Sequence, residues 1–265
     1  MVDLAGPPAA ATTLLTEDGI GVDACHDPGP DAGLAIVVAH GLTGSRRRPA
    51  MRRVVTSLTR LAGVVSFDFR GHGRSGGVST VGNLEVLDLA AAVGWARALG
   101  YDRVATLGFS MGAAVALRHA AAYRGVASVV AVSGPSRWYY RGTPAMRRLH
   151  WVISTGPGRA TGRVLRRTRI GRGGWDPAPE PPDAAAARIA PAALLVVHGD
   201  ADPLFPVEHA EALYAAASNP KELWLEPGFG HAENDASADL LARIGRWVAD
   251  RGRESDLRST ERTVT

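Results

Sequence analysis

The sequence predicts an α/β fold, with a mostly parallel central sheet, helices on both of its faces and one short insertion. Three observations predict it. Short, continuously apolar runs alternate with longer amphipathic stretches along most of the chain. Strand–helix–strand alternation of this kind calls for parallel strands joined by helical crossovers. Each turn after an apolar run carries glycine beside a polar or ionisable residue, as expected where ligand chemistry gathers at the carboxyl ends of strands.

The elements follow in order. Residues 12–15 and 20–22 read as a leading hairpin on one edge of the sheet. Residues 34–39 (LAIVVA) are apolar throughout and bounded by Gly33 and His40-Gly41, the pattern of a strand buried on both faces. Apolar residues at helical spacing cover 46–61, and residues 64–67 form the next strand. A helix is expected over 83–99 with Asn83 as its N-cap. Strand 104–109, helix 111–123 and strand 126–132 come next. Residues 193–197 and 222–225 supply two more strands, followed by helices over 208–217 and 235–248. The first dozen residues and the segment 251–265 are polar or low in complexity, and both are expected to be frayed. The division that results is a core of residues 1–132 and 183–250, an insertion of 133–182 and the tail.

Composition narrows the class. At 265 residues the chain is long enough for one large domain, and 46% hydrophobic with 21% charged residues is ordinary for a globular protein. No apolar run approaches the roughly 18 residues of a membrane span. The beginning, MVDLAGPPAAATT, lacks a basic start and an apolar centre, so it makes a poor signal peptide. A lone cysteine, Cys25, cannot form an internal disulfide, and the expected location is cytoplasmic. Every basic residue but Lys221 is arginine, which looks like codon bias, so arginine counts alone carry no function.

The chemistry is carried by three of the strand-end turns. Gly108-Phe109-Ser110-Met111-Gly112 fits G-x-S-x-G between a β-rich run and an alanine-rich helix. Glycines on both sides allow a tight strand-to-helix turn that exposes the serine hydroxyl, and the helix start directs free N–H groups at developing negative charge. A serine needs a base within hydrogen-bond reach. His231 follows the loop Pro227-Gly228-Phe229-Gly230 after the last strand and is the best placed of the eight histidines. A carboxylate must then orient the imidazole. Asp202, stiffened by Pro203 and Pro206, is preferred, and Asp200 is the alternative.

The ordered set HGLTG, DxRGHGxS, GFSMG, HGxxD and GFGH, spanning roughly residues 33–248, resembles the α/β-hydrolase-fold serine esterases and lipases. Within them it is most similar to the monoacylglycerol-lipase and serine-aminopeptidase-like branch. The resemblance implies a nucleophile elbow at Ser110, a triad of Ser110, Asp202 and His231, and an oxyanion hole made by the backbone N–H groups of Leu42 and Met111. Two such donors contribute about 3 kcal/mol each to lowering the barrier. His40, Asp68, Arg70 and His72 are expected to shape their loops, and His198 to pack at a strand end. No spacing of His, Cys and carboxylates fits zinc, and no phosphate-binding or dinucleotide-binding motif is present, so no cofactor and no metal are expected.

Residues 133–182 break the pattern, with ten arginines and no acidic residue before Asp176. In the resembling family a cap lies here. Trp138, Tyr139 and Trp151 are expected to bind substrate, with Tyr140 and Ile153 adding to an apolar underside. The arginines suit a solvated face or an anionic substrate or carrier; nucleic acid is not expected, because the Gly and Pro interruptions match no reader motif.

The expected activity is cleavage of a small or medium carboxylic ester, or a thioester, through an acyl-enzyme. An acyltransferase or an acyl-CoA or acyl-carrier thioesterase would use the same triad. A non-catalytic binding protein on this fold would ordinarily have lost part of it.

Overall fold

The computed structural model describes residues 9–263, with side chains through Arg251. In chain order the elements are β1 (Ala10–Leu15), β2 (Gly21–Asp27), β3 (Leu34–Ala39), α1 (Pro49–Leu58), β4 (Gly63–Phe67), α2 (Glu85–Ala98), β5 (Arg103–Phe109) and α3 (Met111–Tyr123). They continue as β6 (Ser128–Val132), α4 (Pro144–Ser154), α5 (Gly156–Arg166), α6 (Pro182–Ala186), β7 (Ala193–Gly199), α7 (Glu208–Ala216), β8 (Lys221–Glu226), α8 (Ala232–Asp235) and α9 (Ala238–Thr263). The eight strands form one sheet in the order β1-β2-β4-β3-β5-β6-β7-β8. The hairpin β1–β2 sits on one edge and joins β4 antiparallel, and the other pairings from β4 to β8 are parallel.

Side-chain alternation explains why the inner strands are apolar at every position. On β3, Ala35, Val37 and Ala39 enter one core layer, while Leu34, Ile36 and Val38 enter the other. The first layer packs against α2, α3, α6 and α7 through Leu89, Val115, Ala185 and Leu213. The second packs against α1 and α9 through Met51, Leu58, Leu241 and Ile244. Burying each of these leucine, isoleucine, valine and methionine side chains contributes about 1.5–3 kcal/mol.

Register aligns the strand ends. Ala39 pairs with Gly108, Phe109 with Val132, and Val132 with Val197. The residues that immediately follow β3, β5 and β6, namely His40, Ser110 and Ser133, are therefore brought together at the carboxyl ends of the inner strands.

Three expectations about local structure are corrected. Asn83 does not cap α2, which starts at Glu85 with no side-chain cap. The buried carboxylate of Glu85 takes over that part of the loop, accepting the N–H of Thr80 at 2.8 Å and of Gly82 at 2.9 Å. The helix expected over 235–248 is broken into α8 and α9. Finally, α9 carries its helical backbone through 251–263, where fraying was expected; that stretch has no proline and a single glycine, so little in it stops a helix. Residues 264–265, and residues 1–8 of the segment expected to fray at the other end, lie outside the described residues. No helix among the described residues is long and apolar enough to cross a membrane.

Candidate active site

Ser110 occupies the turn from β5 into α3 at φ 53°, ψ −113°, a strained conformation for a residue with a side chain. Its N–H donates to the Val132 carbonyl at 2.9 Å, which ties the turn to β6. Close packing imposes the turn. A Cβ on Gly112 would overlap the carbonyl oxygen of Ala39 and stand 2.7 Å from that of His40, so only glycine lets α3 start this near β3. Ser110 is half-buried on the wall of a cavity of about 620 Å³, and its hydroxyl makes no hydrogen bond among the described residues.

The loop after β3 is held rigid by two neutral histidines. His40 Nε2 accepts the Phe69 N–H at 3.1 Å, so its Nδ1 donates to the Gly41 carbonyl at 2.7 Å. His72 Nε2 accepts the Thr43 N–H at 3.2 Å, and its Nδ1 donates to the Arg70 carbonyl at 2.9 Å. Burial, reinforced by His72, pushes His40 down to about 4, in agreement with these neutral tautomers. Asp68 accepts the Arg46 N–H, and Arg70 pairs with Asp88 and Asp18, so the loop-shaping roles read from the sequence hold for all four residues. Leu42 sits in this loop and Met111 opens α3; both line the cavity with Ser110, and the N–H of neither donates a hydrogen bond among the described residues.

His231 follows β8 and Asp202 follows β7. Their side chains meet, with His231 Nδ1 2.7 Å from Asp202 Oδ2. The Asp202 carboxylate is fully buried, and its Oδ1 accepts the N–H groups of Leu204 at 2.8 Å and Phe205 at 3.1 Å. The two remaining lone-pair positions of Oδ2 face His231 and, at 3.7 Å, His198 Nε2, which donates to the Phe205 carbonyl. Asp200, the alternative, turns elsewhere and accepts the Gly228 N–H at 2.6 Å. Cys25 lies on β2, the second strand of the sheet, its thiol raised above the ordinary value by burial.

The cavity beside Ser110 has apolar and aromatic walls. Trp138 and Tyr139 line it, as the sequence suggests. Trp151 does not: it is 50% exposed on α4, whose cavity face is the helical stripe Met146, Leu149, His150 and Ile153. The aromatic partner inside is instead Trp175, 4.9 Å from Trp138 and 5.2 Å from Tyr139 between ring centroids. It stands 37 residues after Trp138 in a Gly/Pro-rich segment without periodicity, so no pattern in the sequence points to it.

A second residue that sequence reasoning misses is Glu233, two residues beyond His231. Its Oε1 accepts the Gly41 N–H at 3.2 Å, while Oε2 is buried without a partner among the described residues. A Cβ on Gly41 would lie 3.3 Å from Glu233 Oε2 and 3.3 Å from Ser110 Cβ, so the carboxyl and the serine flank the same glycine. Burial raises the carboxyl above its ordinary value. Glu233→Gln keeps an acceptor for Gly41 and is expected to melt within a few degrees of wild type. Glu233→Leu strands that N–H and is expected to lose about 1–3 kcal/mol. Equal melting of the two variants would remove the bond from the account.

Buried histidines set a further expectation. Burial lowers His40, His119 and His209 to about 4 each, below the unfolded value of 6.5. The unfolded chain therefore binds the extra protons, so stability present above pH 6.5 is lost as pH falls towards 4. Each histidine contributes at most about 1.4 kcal/mol per pH unit in that window. Burial raises Asp88 to about 6 and raises Glu233 as well, so these two oppose the trend, while the lowered His26, His72 and His150 add to it. The melting temperature is expected to fall steadily from about pH 6.5 to about pH 5; a flat profile would refute the assignment.

With the fold and these turns established, the comparisons fall into place. A family described as alpha/beta hydrolase fold matches residues 35–156. An esterase of Pyrococcus furiosus superposes with a TM-score of 0.73 at 25% identity, covering 91% of this chain and 90% of that one. A Xanthomonas campestris protein described as an α/β serine hydrolase without lid gives 0.61 at 24% identity, covering 95% and 96%. The esterase domain of a Rhodothermus marinus protein gives 0.64 at 21% identity, covering 93% and 99%. No curated protein matches the sequence significantly. Sheet order, strand-end turns and these likenesses agree that the chain is a protein of the α/β-hydrolase fold.

Proposed function

We propose that the chain is a serine hydrolase that cleaves small or medium carboxylic esters, with Ser110 as nucleophile, His231 as base and Asp202 as the orienting acid. The observations that carry this reading are the 2.7 Å contact between His231 Nδ1 and the buried Asp202 carboxylate, and the strained strand-end turn that holds Ser110. Nδ1–H donating to Asp202 leaves Nε2 unprotonated and able to accept a proton. Esterases among the solved likenesses point the same way.

In the proposed reaction Ser110 Oγ attacks the ester carbonyl while His231 Nε2 takes its proton. The N–H groups of Leu42 and Met111, unengaged among the described residues, stabilise the oxyanion. The leaving alkoxide departs with the proton from His231. Water then attacks the acyl-enzyme, again giving its proton to His231, and the acid and free Ser110 are released. Asp202 stays ionised and holds the imidazole through both steps. α4 and α5 act as a cap, and Trp138 and Tyr139 contact the acyl chain.

The test is covalent labelling with a fluorophosphonate, with the modified residue located by mass spectrometry, alongside turnover of p-nitrophenyl esters from acetate to dodecanoate. A label on Ser110 and turnover of at least one ester are expected. Folded protein that shows neither removes the proposal.

A further inference from the structure

We infer that the cavity beside Ser110 takes a substrate bearing a second, anionic group, a carboxylate, phosphate or sulfate, remote from the scissile ester. The inference rests on the ester-hydrolase reading for what happens at Ser110, but its own ground is the charge of the cavity. Arg137, Arg141, Arg159 and Arg172 line it, against a single carboxylate, Asp176. None of the four forms an ion pair among the described residues. Arg137 lies 5.8 Å from the Tyr140 ring centroid, and Arg159, half-buried, donates to the Ile153 carbonyl at 3.3 Å.

Of these four arginines, Arg159 is half-buried and the other three are exposed. Elsewhere Arg46 is neutralised by Asp23, Arg70 by Asp18 and Asp88, and Arg103 by Asp31, while the half-buried Arg48 and Arg169 donate to backbone carbonyls. Arg118 instead caps the carbonyls of Gly82 and Asn83. Arg137, Arg141 and Arg159 have no carboxylate close in sequence, because none occurs between Asp102 and Asp176; Arg172 has Asp176 four residues on. Unpaired cations on the walls of a partly apolar concavity concentrate positive potential inside it. The planar guanidinium fork matches carboxylate, phosphate and sulfate oxygens two at a time. His150, on the same wall, is lowered by burial, against its bond to the Tyr140 carbonyl and with the charge of Arg141 adding to the fall. The same cavity offers Leu149, Ile153 and Trp138 to the apolar part of the ligand.

The experiment compares matched esters at low salt. p-Nitrophenyl hydrogen suberate against p-nitrophenyl octanoate places the anion on the acyl side. 4-Carboxyphenyl octanoate against phenyl octanoate places it on the leaving group. One anionic ester is expected to exceed its neutral partner about tenfold in kcat/KM, the lower end of what electrostatic steering gives. The preference is expected to shrink at about 0.5 M NaCl, where screening is strong, and in the double variant Arg159→Gln, Arg172→Gln. Arg124→Gln, at the opposite end of α3, is expected to leave it unchanged.

A second readout does not need turnover. On Ser110→Ala, octyl sulfate is expected to bind more tightly than octan-1-ol, followed by fluorescence of Trp138 and Trp175, and to lose that advantage in the double arginine variant. Neutral esters hydrolysed as well as anionic ones, with no preference for octyl sulfate, would overturn the inference and leave the hydrolase standing. Preferential octyl sulfate binding with no ester cleaved would do the reverse.

Discussion

Ser110→Ala is expected to lower kcat for p-nitrophenyl esters by on the order of 10⁵–10⁶-fold while leaving the fold intact. The reasoning is that no other described hydroxyl stands at the strand-end turn facing both the cavity and the α3 start. Asp202→Asn is expected to cost on the order of 10⁴-fold, because an amide cannot stabilise the imidazolium and favours the wrong tautomer. In the proposed triad the three residues act as one unit, so the double variant Ser110→Ala, Asp202→Asn is expected to be no worse than Ser110→Ala. Ser110→Gly separates chemistry from strain. It is expected to be equally inactive yet to melt above Ser110→Ala, because glycine accepts φ 53° without the roughly 1–3 kcal/mol that a Cβ costs there. Part of that gain, about 1 kcal/mol, is returned through the greater freedom of glycine in the unfolded chain. Residual activity of Ser110→Ala above about a hundredth of wild type would assign the chemistry elsewhere.

Gly112→Ala is expected to lose about 3 kcal/mol of stability, which for a chain of this size is a fall of roughly 6–12 °C in melting temperature. The added methyl meets backbone oxygens of Ala39 and His40, which cannot swing aside as a side-chain end would. Either α3 lifts off β3 or the β3 strand end shifts. Both outcomes move Ser110 relative to Leu42, so activity is expected to fall with stability. A variant that melts within about two degrees of wild type and keeps full activity would show that the turn tolerates a wider separation.

How much of this was legible in advance differs from element to element. The buried strands were readable because a strand covered on both faces must be apolar at every position, and LAIVVA can satisfy that requirement nowhere else. α3 was readable to the residue, since Ser110 and Gly112 mark its start and Arg124-Gly125 its end. The positions of Ser110, Asp202 and His231 after strand ends were readable because each stands in a turn after an apolar run. Helix starts were less so: Asn83 is a good cap in isolation, but the Glu85 carboxylate competes for the same loop.

By itself, then, the sequence determined what local chemistry controls, namely the alternation of strands and helices, the glycines that make the Ser110 turn, and the residue types present at the strand ends. Tertiary structure alone decided which of those residues meet. Asp202 and not Asp200 reaches His231, across 29 residues, because β7 and β8 are adjacent and the turn after Gly199 directs the later aspartate inward. Trp175 and not Trp151 enters the cavity, because α4 turns its 146/149/150/153 stripe inward and leaves Trp151 in solvent. Glu233 bonds to Gly41 across 192 residues, a contact that no periodicity or motif encodes. Such pairings depend on which strands become neighbours, and that is a property of the whole sheet rather than of any segment within it.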